Sequence, residues 1–438
     1  MTLRSKAARV RNALRGHRAS PAPARQQEHV SIDDQIAPGG DAPVDVRELL
    51  QTYTVEQLAE TADEYYRKNL EGIDYYYAKP LTSVDETPDF LICFSQVLAG
   101  VRPVPGMRVL DFGAGTGWTT RFLTQLGCET IACDVSLTAL EIAEELFKRQ
   151  PVAGPQPEPS FLAFDGHHID LPDESIDRII CIDAFHHVPN PDAVLREFGR
   201  VLKPGGIAGF QEPGPNHSKK AQSQLEMKQF TVIENDIVMR EIWGWAQDAG
   251  FTSLKLAVFT AEHFQTSVEG YEDFLNGGIT THHYYEHLRR FVDDRRIFFL
   301  GKGDVAVADS RERRGLVAEL VVTPDSTTVP AGGSVTGAVR AKNTGTNIWL
   351  SSDAPLGPVL FGVHLFDADH LPIERDHARV PLPNGDVAPG STVETRFEIP
   401  APAVPGTYSL EFDLVAEHVC WFEINESRTV SIEITVTG

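Results

Sequence analysis

The stretch Val109-Leu110-Asp111-Phe112-Gly113-Ala114-Gly115-Thr116-Gly117-Trp118 decides how the rest of the chain is read. An apolar run carrying one acid ends in a glycine-dense turn, and a helical pattern from Thr119 to Leu126 follows at once. Strand, tight turn and helix in this order form a cradle for a nucleotide-type ligand, because glycines let backbone approach the ligand without Cβ atoms in the way. A pyrophosphate-binding turn needs a third glycine three residues after the second. Read from Gly113 that position is Trp118, and read from Gly115 it is Thr120, which argues against a dinucleotide site. No Gly-Lys-Ser/Thr follows, which excludes a P-loop.

Asp-x-Gly-x-Gly-x-Gly resembles motif I of class I S-adenosylmethionine (SAM)-dependent methyltransferases. Cys133-Asp134 closes the next strand-like run, 17 residues past Gly117, and Phe164-Asp165-Gly166 ends the third. Leu171-Pro172, Ile179 to Val188 and Val201-Leu202-Lys203-Pro204-Gly205-Gly206 then follow in an order similar to the ubiquinone- and menaquinone-biosynthesis branch. The resemblance covers residues 105–215. It implies SAM as cofactor, with S-adenosylhomocysteine as product, held by Asp111, Gly113, Ala114, Gly115, Gly117, Asp134, Val135, Asp165, Gly166 and Asp183. Asp134 is expected on the ribose hydroxyls and Asp165 on the adenine amino group.

Alternating strand and helix patterns predict an α/β, Rossmann-like domain with a mostly parallel sheet and helices on both faces. Strands are predicted at 107–112, 129–133, 161–165, 178–183 and 206–211, with helices at 117–126, 137–149 and 191–202. Asn190 is the predicted N-cap of the last helix, with Pro191 at its first position. Asp111, Asp134, Asp165, Asp183 and Glu212 all fall at carboxyl ends of strands, where ligands bind in such sheets. The domain is expected to span 44–310, with a helical cap at 44–105 and a partly inserted acceptor region at 216–298. Ala249-Gly250-Phe251 with the strand after it, and Phe298-Phe299-Leu300, are expected to complete the sheet.

Methyl transfer to a hydroxyl is an in-line displacement that benefits from a positioned base. His186 and His187, just after the fourth strand, and Glu212 are the candidate bases, although such histidines also brace the loop. Tyr76, from the pair of clusters Tyr65-Tyr66 and Tyr75-Tyr76-Tyr77, is a candidate acceptor contact, while packing on the sheet edge is expected for most of these tyrosines. His283-Tyr284-Tyr285-Glu286-His287 matches the H-x-x-E-H pattern of inverted zinc peptidases. Without the rest of that context it is assigned to acceptor contact or to a surface helix, so no metal is expected. His167-His168 is expected at the surface.

The whole chain has 438 residues and a net charge of −23, which argues against nucleic acid as a partner. No apolar run is long enough to span a membrane. Five cysteines without paired spacing predict reduced thiols and a cytoplasmic protein. Residues 1–43 read as a basic segment and linker. Met1 to Gln27 holds seven Lys/Arg and no acid. Leu3, Ala7, Val10 and Leu14 recur there at helical spacing, so residues 1–18 either contact the inner face of a membrane or form a basic tail.

After Arg314-Gly315 short alternating runs separated by turns predict an all-β sandwich over 316–438. Eight strands are expected, including Val419–Ile424. The module resembles sandwiches appended to bacterial polysaccharide-assembly enzymes, which implies glycan contacts at Trp349, His377, Trp421 and Glu423, against packing of Trp421 in the core. The favoured reading is O-methylation of a sugar or glycan-linked acceptor in bacterial surface-polysaccharide biosynthesis. The alternatives are methylation of a small aromatic or lipid-linked metabolite with the sandwich as a homodimer module, or a non-catalytic glycan-binding protein.

Overall fold

A computed structural model describes residues 42–304 and 307–438. They belong to two compact units, one running to Val305 and the other starting at Ala306. The basic stripe at residues 1–18 lies outside the described residues.

The first unit begins with four helices, α1 (Val46–Thr52), α2 (Val55–Lys68), α3 (Ile73–Ala78) and α4 (Glu86–Val101). The sheet then starts: β1 (Arg108–Phe112), α5 (Trp118–Gln125), β2 (Glu129–Asp134), α6 (Leu137–Arg149), β3 (Ser160–Ala163) and β4 (Ile176–Ile182). Next come α7 (Pro191–Val201), β5 (Leu202–Pro213), α8 (Ala221–Phe230), α9 (Met239–Asp248) and β6 (Ser253–Leu256). The unit closes with α10 (Val268–Leu275), α11 (Ile279–Asp294) and β7 (Arg295–Gly301). The strand order is β3-β2-β1-β4-β5-β7-β6. β1 to β5 run parallel, and β7 lies antiparallel between β5 and β6.

Side-chain alternation along each strand sorts the apolar residues onto two faces. Leu110, Ile131, Ile179 and Phe210 pack with Val194, Leu195 and Phe198 of α7 and Ile242 of α9. Val109, Ile180 and Ile207 pack on the opposite face with Cys93, Val97 and Val101 of α4 and Phe291 of α11. Chain order reverses between β1 and β4, so the crevice at their carboxyl ends is the place for a ligand.

Two local details depart from the sequence pattern. Lys203-Pro204-Gly205 does not sit between helix and strand; β5 starts at Leu202, which pairs with Ile176 across a register irregularity, and Gly205 takes φ +79° there. Asn190 makes no side-chain cap for α7 and donates its Nδ2 to the Gly166 carbonyl at 3.0 Å.

The second unit comprises β8 (Ala318–Pro324), β9 (Thr328–Pro330), β10 (Ser334–Asn343), β11 (Val359–Asp367) and β12 (Pro372–Pro381). It continues with β13 (Thr392–Pro400), β14 (Gly406–Ala416), β15 (Cys420–Trp421) and β16 (Val430–Thr437). A sheet β13-β10-β8 faces a sheet β12-β11-β14-β16-β9, with β15 paired to β14. Val335, Val339, Phe397, Phe361, Phe412 and Ile434 meet between them in one core. Val419–Ile424 forms only the two-residue β15, because Phe422 turns inward in a 3-10 turn and packs on Trp349 at 5.6 Å. Asn343 is fully buried, donates to the Asn347 and Val387 carbonyls and accepts from the Gly345 N–H, which pins the turn its sequence announces.

Candidate active site and cofactor cradle

The glycine turn after β1 is shaped by three left-handed residues, Gly113, Gly115 and Gly117. A Cβ on Gly113 would stand 2.2 Å from the Ala184 Cβ, so the turns after β1 and β4 touch only because this residue has no side chain. Asp134, at the end of β2, accepts the Gly115 N–H and the Ser136 N–H at 2.8 Å, one on each carboxylate oxygen. Each oxygen keeps a second lone pair, and Asp134 lines the adjoining cavity of about 790 Å³. Burial raises its pKa, against the pull of those backbone donors.

Asp111 plays a different part. It is buried, accepts from Thr119 Oγ1 and Thr120 Oγ1 at 2.6 Å each, and is pushed up to about 6 by burial. It ties the strand end to the first turn of α5 and does not line the cavity. Asp165 is also turned away. Its Oδ1 accepts the N–H groups of His167 and His168, which hold its pKa below the ordinary value, while its neighbours Phe164 and Gly166 line the cavity. Gly113, Asp134, Val135, Gly166 and Asp183 come together there, and Ala114, Gly115 and Gly117 shape the turn behind.

The turn after β4, Phe185–His187, carries the histidines. Glu212 of β5 is fully buried; its Oε1 accepts the Ala184 and Phe185 N–H groups and its Oε2 accepts the His186 N–H and, at 2.6 Å, His186 Nδ1. A carboxylate so engaged braces the turn and is not available to a substrate, which removes Glu212 from the candidate bases. Burial pushes the Glu212 carboxyl up and the His186 imidazolium down, so His186 is neutral with its proton on Nδ1. His186 too is buried and faces away from the cavity.

His187 lines the cavity. Its Nδ1–H donates to the Ile233 carbonyl at 2.7 Å, which leaves the lone pair on Nε2. Burial lowers its pKa, with His186 beside it acting in the same direction. Asp183, with φ +47°, accepts from Gln211 Nε2 at 2.9 Å and from Arg295 at 2.7 Å.

The opposite wall is aromatic. Tyr65, Tyr66, Tyr75 and Tyr76 of α2 and α3 all line the cavity, where packing on the sheet edge was expected for most of them. Tyr77 alone turns into the interior, under the Arg149 guanidinium at 4.6 Å. The reason is helical spacing: α2 and α3 each present one stripe to the sheet, and the tyrosines beside that stripe fall over the crevice. Val55 of α2, whose helix is closed by a Thr54–Gln57 capping box, reaches Gly166.

His283 and His287 stand on α11, apart from the cavity lining. His287 packs on the Phe264 ring at 5.6 Å with Nδ1 3.4 Å from Glu262, because α11 covers the sheet face and not the strand ends. His167 and His168 are exposed, paired with Glu56 and Glu197. In the second unit Trp349 is fully buried in the core and so is no surface contact. Trp421 lies over Gly362, engaged by the Arg379 guanidinium at 4.6 Å and the His364 ring at 4.1 Å. His377 bonds Glu374 and the Pro400 carbonyl, and Glu423 pairs with Arg375.

Residues 110–210 match the methyltransferase-domain family profile. The matched residues run from β1 into β5, the part of the first unit that carries the glycine turn and the histidine turn. Similar chains include the methyltransferase GfsG of Streptomyces halstedii, 36% identical over 102 residues, which are 23% of this chain and 36% of that one. The demethylmenaquinone methyltransferase of Renibacterium salmoninarum is 31% identical over 142 residues, 32% of this chain and 56% of that one. The chain thus spans about half or less of the length of these relatives. Among solved structures, the phosphoethanolamine N-methyltransferase 2 of Haemonchus contortus aligns over 58% of this chain and 61% of its own, with 17% identity and a TM-score of 0.41.

The cradle fits the S-adenosylmethionine expected from the sequence. The cavity is bounded by the glycine turn and, hydrogen-bonded to it, by a buried carboxylate with spare acceptor capacity for a diol. Phe112, Phe164 and Val135 supply apolar surface for a base.

Several residues of this site carry no signal in the sequence. Lys79 lines the cavity over the Tyr75 and Phe90 rings, at 5.5 and 5.4 Å, and burial lowers its pKa against Asp183 and Glu86. His217 and Glu234 reach the histidine turn from the segment after β5, and Glu226 lines the cavity from α8, at no recognisable spacing from it. Only their polarity inside an otherwise apolar insert could have pointed to them.

Proposed function

We propose that the protein transfers the methyl group of S-adenosylmethionine to a small, largely planar acceptor bearing a hydroxyl group, held between the tyrosine wall and His187. The observation that carries this reading is the His187 side chain. Its Nδ1–H is committed to the Ile233 carbonyl, so this cavity-lining ring carries an unprotonated Nε2. When bound, the cofactor supplies an electrophilic methyl on a sulfonium. His187 Nε2 takes the proton of the acceptor hydroxyl, and the Ile233 carbonyl steadies the imidazolium that results. Removal of that proton serves attack by the oxygen itself or by a ring carbon conjugated with it. Tyr65, Tyr66, Tyr75 and Tyr76 orient the acceptor and exclude water.

A planar, partly apolar acceptor agrees with four phenol rings in the lining and with the demethylmenaquinone named in the relatives. The sugar acceptor favoured from the sequence draws no support from those names. The sandwich's suggested glycan contact, Trp421, is engaged by its own neighbours.

Incubation of the full chain with methyl-labelled S-adenosylmethionine and two panels, hydroxylated aromatics or quinols and nucleotide sugars, tests this. Label is expected in the first panel. Label only in sugars would overturn the acceptor class, and absence of stabilisation by S-adenosylhomocysteine would overturn the cofactor assignment.

A further inference from the structure

Three residues from three separate segments meet at one buried point behind the histidine turn. They are His186 after β4, His217 after β5, and Glu234 between α8 and α9. Their candidate donor atoms all lie within 4.8 Å of one another. His217 Nε2 is 2.6 Å from Glu234 Oε2, and His186 Nε2 is 3.9 Å from the same oxygen. A tetrahedral ion with bonds of about 2.0–2.2 Å sets its ligands about 3.3–3.5 Å apart, so the spacings bracket what such an ion requires.

The hydrogen bonding around Glu234 is also incomplete. Glu234 is 2% exposed, and its Oε1 accepts no hydrogen bond, lying 3.4 Å from His187 Nδ1. Glu212, at the Nδ1 edge of the His186 ring, is fully buried. Among the described residues neither carboxylate has a lysine or arginine within 4 Å; their ionic partners are histidines only. A buried carboxyl oxygen without a hydrogen-bond partner is costly, and an ion bound to Glu234 would relieve it.

The surroundings have the form of an outer coordination shell. His186 Nδ1–H donates to Glu212 at 2.6 Å, which orients the ring and leaves the Nε2 lone pair toward Glu234. The backbone joins the segments as well. The Asn235 N–H donates to the His186 carbonyl at 2.9 Å, Asn235 Nδ2 to the Val188 carbonyl at 2.8 Å, and the Ser218 N–H to Asp236 at 2.8 Å. His217 Nε2 has Ser223 Oγ at 3.3 Å, and its Nδ1 is buried without a partner.

We propose that His186 Nε2, His217 Nε2 and the Glu234 carboxylate bind one divalent first-row transition ion of the zinc type. Two imidazoles and one carboxylate suit such an ion better than magnesium or calcium, which prefer oxygen throughout. The ion fastens the histidine turn to residues 217–236, whose Glu226, Val232 and Ile233 form part of the cavity wall. Where the sequence pointed to a metal pattern, at His283 and His287, no three-ligand group forms among the described residues. The site goes beyond methyl transfer and does not depend on it.

The test uses the full chain freed of affinity tags. Elemental analysis after dialysis is expected to find about one equivalent of zinc. The stripped protein, titrated with Co²⁺, is expected to develop the visible absorption of a four-coordinate ion at one equivalent. His217→Ala and Glu234→Gln should each weaken Co²⁺ binding at least about 100-fold while retaining the circular dichroism of the fold. His217 is the partly exposed ligand, so its substitution keeps the test sound if the other variant fails to fold. No stoichiometric zinc together with no Co²⁺ absorption would sink the proposal. Equal binding by wild type and the His217 variant would do so too, since the ion would then sit elsewhere.

Discussion

His187 Nδ1 lies 2.7 Å from the Ile233 carbonyl, and this single contact decides which nitrogen of the ring keeps a lone pair. Ile233 is 46 residues away in sequence, in the segment between α8 and α9. Its carbonyl takes up the Nδ1–H and leaves the lone pair on Nε2, the nitrogen the proposed reaction uses.

Replacement of His187 by alanine is therefore expected to lower turnover by about 10²–10⁴-fold. The affinity for S-adenosylhomocysteine should change by less than about threefold, because the lost group acts on the acceptor proton. Single-turnover kinetics beside calorimetric titration separate the two. An unchanged rate would remove His187 from the chemistry.

Gly113 takes φ +67°, and a Cβ there would meet Ala184 at 2.2 Å. Gly113→Ala should cost about 1–2 kcal/mol for the left-handed backbone alone, plus the displacement of the β4 turn. Thermal unfolding should fall, and S-adenosylhomocysteine should no longer raise the transition of the first unit.

Asp134→Asn places an amide N–H₂ against either the Gly115 or the Ser136 N–H, both of which now donate to the carboxylate at 2.8 Å. One donor is left unsatisfied, at a cost of about 1–3 kcal/mol. The loss should be read in calorimetric titration as weaker S-adenosylhomocysteine binding. Asp111→Asn, by contrast, should affect stability more than affinity, since Asp111 touches Thr119 and Thr120 and not the cavity.

In the sandwich, Asp413 is fully buried, with Oδ2 accepting the Glu423 N–H and Oδ1 unpaired. Burial first, and the nearby Glu423 and Glu411 carboxylates after it, push its pKa up to about 6. The folded state holds this proton more tightly than the unfolded one, whose aspartate titrates near 3.9. The stabilising contribution is complete below about pH 4 and is lost as pH rises through about 6. Asp413→Asn should flatten that dependence and raise the stability of the second unit at pH 7 by about 1–3 kcal/mol. Calorimetry of the full chain at pH 4.5 and pH 7 measures both effects; a variant with the parent's pH dependence would contradict them.

Much of the fold was legible along the chain because its signals are local. The glycine turn at 113–117, the acids closing β1 and β2, and the alternating runs after Gly315 each depend on a few neighbouring residues. Strand spacing and backbone freedom therefore announce them. The failures were also local in origin. Val419–Ile424 alternates like a strand, yet Phe422 finds a better place against Trp349, which the run itself does not contain.

By itself the sequence determined a parallel sheet with a glycine cradle and a second, all-β unit. Periodicity and left-handed turns are properties of short segments, so they can be read without knowing what each segment touches. Tertiary structure decided which carboxylate faces the ligand and which is consumed in bracing. Asp134 looks into the cavity, while Asp111, Asp165 and Glu212 bond to threonines or backbone N–H groups. It alone brought Glu234 and His217 to His186, because a hydrogen bond or a coordination bond is made between atoms a few ångströms apart and takes no account of sequence distance.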